Sequence, residues 1–112
     1  RDTDRSRGLG DVYKRQLYYR GKSSASKNLV TYVMKCKRPG VRVGITTGKK
    51  IGKAYRRNRA RRVIRAAFSQ LEGRICANCD IVFVARTSTC EVKMQAVLAD
   101  MEKQLIQLGV IE

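Results

Sequence analysis

The segment 49–71, KKIGKAYRRNRARRVIRAAFSQL, limits what this chain can fold into more than any other. Ala60, Val63, Ile64, Ala67, Phe68 and Leu71 fall at i, i+3, i+4, i+7, i+8 and i+11, which is one stripe of an α-helix. Residues 49–65 also carry nine Lys or Arg among seventeen positions and no acid. The segment is therefore a basic helix anchored to a core, not a charged tail. A rigid array of guanidinium groups suits phosphate, because Arg presents planar, paired donors to phosphate oxygens.

The chain has 112 residues, enough for one domain with a single modest core. Its 43% hydrophobic content is ordinary, but its net charge of +16 is not. Such a charge predicts attraction to polyanions and says nothing about fold. The charge is also uneven. Residues 17–71 hold sixteen basic side chains and no acid; residues 72–112 hold four basic and six acidic ones. The first part is the binding part. Ordinary solvated faces mix both signs, so a merely soluble surface is the weaker reading. No stretch approaches the roughly 18 apolar residues of a membrane span, and no secretory apolar region is visible. A cytoplasmic protein without a membrane role is expected.

Residues 1–16 read unlike the rest. RDTDRSRGLG has no helical or strand rhythm. Asp11-Val12-Tyr13-Lys14-Arg15-Gln16 back-translates as GAT GTG TAT AAG AGA CAG, the end of a transposon adapter used in sequencing libraries. We expect residues 1–16 to be adapter-derived and 17–112 to form the single native domain.

Along the chain, residues 18–27 are polar and small. In residues 28–36, NLVTYVMKC, Val30, Tyr32, Met34 and Cys36 share one parity and one face of a strand. Lys37-Arg38-Pro39-Gly40 is a turn. Val41, Val43 and Ile45 alternate through a second strand, and a hairpin is the simplest connection between the two. The basic helix is expected over 53–70, ended by Gly73. Residues 80–86, DIVFVAR, read as a strand buried on both faces. Ser88 or Thr89 could cap a last helix, in which Met94, Val97, Leu98, Met101 and Leu105 form the apolar stripe and Gly109 follows the end. The middle forms a βαβ unit, so the sheet is mixed and the class α+β. The usual rule makes that crossover right-handed.

Arg57, Arg61 and Arg65 lie along one helix face, with Asn58 and Arg62 on a neighbouring line. Asn can bind a sugar hydroxyl or base edge where Arg binds phosphate. Like charges at i,i+4 repel, so a partner must supply the compensating charge. Thr46-Thr47-Gly48-Lys49-Lys50-Ile51-Gly52 links strand to helix but lacks the phosphate-loop spacing, and backbone contacts to RNA phosphate fit it better. Cys76 and Cys79 form one C-x2-C pair, which Cys36 and Cys90 could complete as a zinc site; ordinary reduced thiols are the default. Tyr32 is either half-buried packing or a stacking platform for single-stranded bases. With no histidine, and no carboxylate in residues 17–71, protein-based acid–base or metal catalysis there is not expected.

Gly44 to Gly52, then Ala54 and Arg57-Asn58-Arg59-Ala60-Arg61-Arg62 with Arg65, resembles the protein subunit of bacterial ribonuclease P. That family has a strand ending G-[hydrophobic]-[ST]-x-x-K-K-x-G, then A-[V]-x-R-N-R-x-[KR]-R-x-x-R-E. Tyr18-Tyr19-Arg20-Gly21-Lys22-Ser23 is similar to the family's aromatic-x-x-G-x-S entry, and 80–86 to its D-I-V-x-x-A-R strand. The likeness covers residues 17–111. Tyr55 replaces the usual Val, and Ala66 the usual acid.

The resemblance implies an α-β-β-β-α-β-α fold, a two-layer α/β sandwich of the ribonuclease P protein and ribosomal protein S5 domain 2 type. It implies a left-handed βαβ crossover and one more strand before the helix. It also implies that Lys49, Lys50, Lys53, Arg57, Asn58, Arg59, Arg61, Arg62 and Arg65 bind a catalytic RNA. Tyr18 and Tyr32 would hold the 5′ leader of precursor tRNA. The RNA would use Mg²⁺ to hydrolyse the phosphodiester, with no organic cofactor, no protein metal site and no obligate protein partner. The alternative is a non-catalytic ribosomal or general RNA-binding protein.

Overall fold

The computed structural model of the chain describes residues 19, 21–35 and 40–111. Residues 1–16, Tyr18, Cys36 and Lys37-Arg38-Pro39 of the expected turn lie outside the described residues. The elements follow as β1 (Lys22–Ala25), β2 (Leu29–Lys35), β3 (Val41–Thr46), α1 (Ala54–Leu71), β4 (Cys79–Ala85) and α2 (Met94–Gln107). Single 3-10 turns occupy Lys49–Ile51, Glu72–Arg74 and Thr87–Cys90.

The sheet runs β1-β2-β4-β3, with β3 and β4 parallel and the other pairs antiparallel. The mixed sheet and the βαβ unit β3-α1-β4 are those the sequence predicts. The β2–β3 hairpin is not formed. β4 lies between the two strands, with Ile81 opposite Val33 on one side and Val43 on the other. In the middle of the sheet the apolar side chains of β4 pack on α1 and α2 on one face, and on the other Val82 is flanked by Tyr32 and Met34 of β2. β3, with Arg42 and Gly44, tolerates an edge better. β1, the extra strand implied by the resemblance, forms the other edge. Its KSSA sequence is mostly exposed and shows no apolar alternation to read.

Register sorts the side chains onto two faces. Leu29, Val33, Val43, Ile45, Ile81, Phe83 and Ala85 join the α1 stripe and Val97, Met101 and Leu105 of α2 in the main core. The Phe68 and Phe83 rings meet there, tilted by 57° with centroids 5.6 Å apart. Thr31 sits on the same face and donates to Gln104 Oε1, while Gln104 Nε2 donates to the Leu29 carbonyl at 2.9 Å. The opposite face carries Val82, fully buried, with Tyr32, Met34 and Val84 packed on it.

Two helix ends depart from expectation. α1 does not stop at a left-handed Gly73; it tightens into the 3-10 turn Glu72–Arg74. Ser88 and Thr89 do not cap α2, whose cap position is Lys93 with no side-chain bond. They tie the Thr87–Cys90 turn to the β1–β2 connection: Ser88 Oγ donates to the Lys27 carbonyl at 2.8 Å and Thr89 Oγ1 to that of Asn28. Gly109 does end α2. With φ +77° it lets Val110 N–H reach Leu105 O at 2.9 Å and Gly109 N–H reach Ile106 O at 3.1 Å.

Candidate nucleic-acid interface

The entry into α1 is built around Ile51 and Gly52. Ile51 is buried in the 3-10 turn that also contains Lys49 and an exposed Lys50. Gly52 adopts φ +115°, a region that disfavours any residue with a Cβ. Arg56 lies against it, and its Nε donates to the Ile51 carbonyl at 3.1 Å. The cap residue Lys53 makes no side-chain cap bond, and the first turn holds no acid. The Arg56 and Arg57 N–H groups bond the Lys53 carbonyl, and the positive end of the helix dipole lies at the exposed Lys53 without an acid to compensate it.

The arginines of α1 divide into two sets. Arg56 and Arg59 brace the helix against the segment that precedes α2. Arg56 Nη2 pairs with Glu91 Oε2 at 2.9 Å, and Arg59 Nε donates to the Cys90 carbonyl at 2.8 Å. The hydrogen bond to Glu91 raises the Arg56 guanidinium above its ordinary pKa. A raised base loses its charge only as pH rises through the raised value, so Arg56 keeps its charge at physiological pH.

The second set is Arg57, Asn58, Arg61 and Arg62. Arg57 and Arg61 are half-buried, Asn58 and Arg62 exposed. Their side chains have no hydrogen bond or ion pair among the described residues. The carboxylates that could have paired with them are engaged elsewhere. Asp80 takes Arg42 in a two-point contact at 3.1 and 3.3 Å, Glu102 takes Arg74, and Asp100 accepts from Ser26 and Asn28. Arg65, exposed on the following turn, extends the Arg57–Arg61 line.

Tyr32 is half-buried on the sheet face opposite the helices, paired across strands with Ser23 and Val82. The structure thus does not bring Tyr32 together with the α1 arginines; the sheet separates them. Tyr18, the other expected leader contact, lies outside the described residues. The sequence reading missed a recess at the carboxyl ends of β3 and β4, about 490 Å³, lined by Thr46, Gly48, Lys50, Ile51 and residues 84–87. Thr46 Oγ1 and Thr47 Oγ1 are buried with no hydrogen-bond partner. A buried hydroxyl left unpaired costs about 1–3 kcal/mol. The signal that could have found this place is the pair of threonines ending a strand before a glycine and two lysines.

The three described cysteines do not form a metal-binding group, and Cys36 lies outside the described residues. Cys79 is buried in β4, Cys76 is exposed with its thiol on the Val110 carbonyl, and Cys90 is buried beside α1. Among the described residues no group of three or more His, Cys, Asp or Glu could hold a metal ion, and no helix is long and apolar enough to cross a membrane.

A mixed sheet covered on one face by two helices, one of them carrying Arg57, Arg61 and Arg62 with no acidic partner among the described residues, defines an α+β protein with a basic helix surface. The model of the family described as ribonuclease P matches residues 13–109. The ribonuclease P protein component of Clostridioides difficile strain 630 is 41% identical over 109 residues, covering 96% of this chain and 92% of that protein. That of Shouchella clausii is 34% identical over 87 residues, 77% of this chain and 71% of that protein. Among solved structures, the Staphylococcus aureus RNase P protein superposes with a TM-score of 0.80 at 27% identity, covering 92% of this chain and 94% of that one. The Thermotoga maritima RNase P protein gives 0.72 at 30% identity, covering 88% and 91%. The chain belongs to the ribonuclease P protein family, whose members are protein components of a tRNA-processing ribonucleoprotein.

Proposed function

We propose that this chain binds the ribonuclease P catalytic RNA through α1 and promotes removal of the 5′ leader from precursor tRNA in the cytoplasm. One observation carries this reading: Arg57, Asn58, Arg61 and Arg62 have no side-chain partner among the described residues, while Asp80, Glu91 and Glu102 pair with other arginines. RNA phosphates supply the missing charge, and each one neutralised releases counterions. Lys50, Lys53 and the uncapped start of α1 extend the same surface, where N–H groups can meet phosphate oxygens, and Lys49 adds a further cation in the preceding turn's sequence. Arg59 joins it by its terminal nitrogens while its Nε holds Cys90. Arg65 continues it.

The leader lies on the other face of the sheet. A base can stack on the exposed part of Tyr32, with Tyr18 as a second aromatic. The recess lined by Thr46, Lys50, Arg86 and Thr87 brings cationic and polar side chains together, a combination suited to a sugar–phosphate unit. Mg²⁺ belongs with the RNA in this reading. The chain's part is positioning and charge compensation, and the RNA carries out hydrolysis.

Reconstitution tests it. The chain is mixed with the ribonuclease P RNA of C. difficile and a precursor tRNA bearing a 5′ leader, at Mg²⁺ too low for the RNA alone. Cleavage at the mature 5′ end, faster than with RNA alone, is expected. Tight RNA binding with no gain in cleavage would reduce the chain to a general RNA-binding protein.

A further inference from the structure

Tyr55 stands in the first turn of α1 and is 68% exposed. Single exposed aromatics are common and need no explanation by themselves. This one differs in its neighbours. Asn58, Arg59 and Arg62 follow it at i+3, i+4 and i+7, so the ring shares the outer surface of α1 with those side chains. No hydrogen bond or ring contact engages Tyr55 among the described residues. The core does not use it either: the buried stripe of α1 begins at Ala60. Helix propensity gives no reason for it, since an aromatic side chain loses rotamer freedom in a helix and Ala or Arg would serve better.

We propose that Tyr55 is a base-stacking contact, taking one unpaired nucleotide of the catalytic RNA between the phosphates held by Arg59 and Arg62. The inference rests on the function proposed above and adds a residue to it. Charge selects the occupant. The surface around the ring is cationic and amidic with no acid in the first turn, which attracts nucleic acid and repels a basic or apolar partner. The ring itself selects an unpaired base, because bases within a duplex already stack on one another and present only their edges. Stacking tolerates any base identity, since each has a π-face, so Tyr55 adds affinity without reading sequence.

The test is a binding series with full-length chain and the ribonuclease P RNA of C. difficile, measured by filter retention over a range of KCl concentrations. Tyr55→Ala and Tyr55→Val are expected to weaken binding about five-fold or more, by the same factor at every salt concentration, because an uncharged ring releases no counterions. Tyr55→Phe keeps the ring and is expected to bind within about two-fold of the unchanged chain. Thermal midpoints of all three are expected to match it, which separates contact from fold. Wild-type binding by the Ala and Val variants overturns the proposal, and so does a Phe variant as weak as Ala, which would assign the effect to the hydroxyl. Arg57→Ala is the control on the underlying reading. If it binds as tightly as the unchanged chain, α1 is not the RNA surface and the parent reading fails. If Arg57→Ala weakens binding and Tyr55→Ala does not, only the stacking proposal fails.

Discussion

Gln104 is a polar side chain in an apolar stripe, held there by two hydrogen bonds that link α2 to β2. Stripe reading counts apolar residues and so passes over it, although it lies at i+3 from Met101 and i+7 from Val97. Gln104→Leu fills similar space but leaves the Thr31 hydroxyl without its partner. A loss of about 1–3 kcal/mol in urea unfolding is expected. Adding Thr31→Val should recover much of that loss, since removing both partners is far cheaper than removing one. If the double variant is as unstable as the sum of the singles, the two groups are not coupled. Gly52 argues the same way from backbone rather than side chain. A Cβ there would meet Arg56 Cδ at 3.3 Å, on a backbone with φ +115°. Gly52→Ala is expected to cost about 1 kcal/mol or more and to loosen the entry into α1. An unchanged thermal midpoint would remove Gly52 from that role.

Among the elements, α1 was legible almost residue by residue. Its six buried positions are the six the periodicity selects. Periodicity fixes which side faces the core but is silent about pairing between distant strands, which is why the β2–β3 hairpin was misplaced. The information was present in another form: the Ile81–Ala85 run is apolar on both faces, and a strand of that kind occupies the centre of a sheet. The division of the arginines was not legible, because Glu91 and Cys90 reach Arg56 and Arg59 from 35 and 31 residues away in the chain. That division makes distinct expectations. Arg57→Ala and Arg61→Ala should leave unfolding unchanged and lower the log–log salt slope of RNA binding by about 0.7–0.9 each. Arg56→Ala should act mainly on the fold, freeing Glu91 and the Ile51 carbonyl, with a smaller change in slope. Equal slopes for all three variants would show that the partition is wrong.

At the scale of the whole molecule, the acidic residues of the carboxyl-terminal part brace the basic part that precedes them. Asp80 holds Arg42 on the sheet, Glu91 holds Arg56 at the start of α1, and Asp100 holds the β1–β2 connection. This braces the fold without engaging Arg57, Arg61 or Arg62, and a net charge of +16 remains to repel itself. Two opposite responses to salt follow from the same charge. Added KCl competes with phosphate and weakens RNA binding, whereas in the free chain it screens self-repulsion and favours the compact state. The thermal midpoint of the free chain is therefore expected to rise by a few degrees between low and moderate KCl, given that about 1 kcal/mol moves the midpoint of a domain this size by about 4–8 °C. Surface ion pairs would push the other way, because screening weakens them, but exposed pairs are worth only about 0–1 kcal/mol each. A KCl series followed by circular dichroism decides between the two. A midpoint that falls as salt rises would mean that the bracing pairs outweigh the repulsion, and that Arg57, Arg61 and Arg62 repel one another less in the free chain than their lack of partners among the described residues implies.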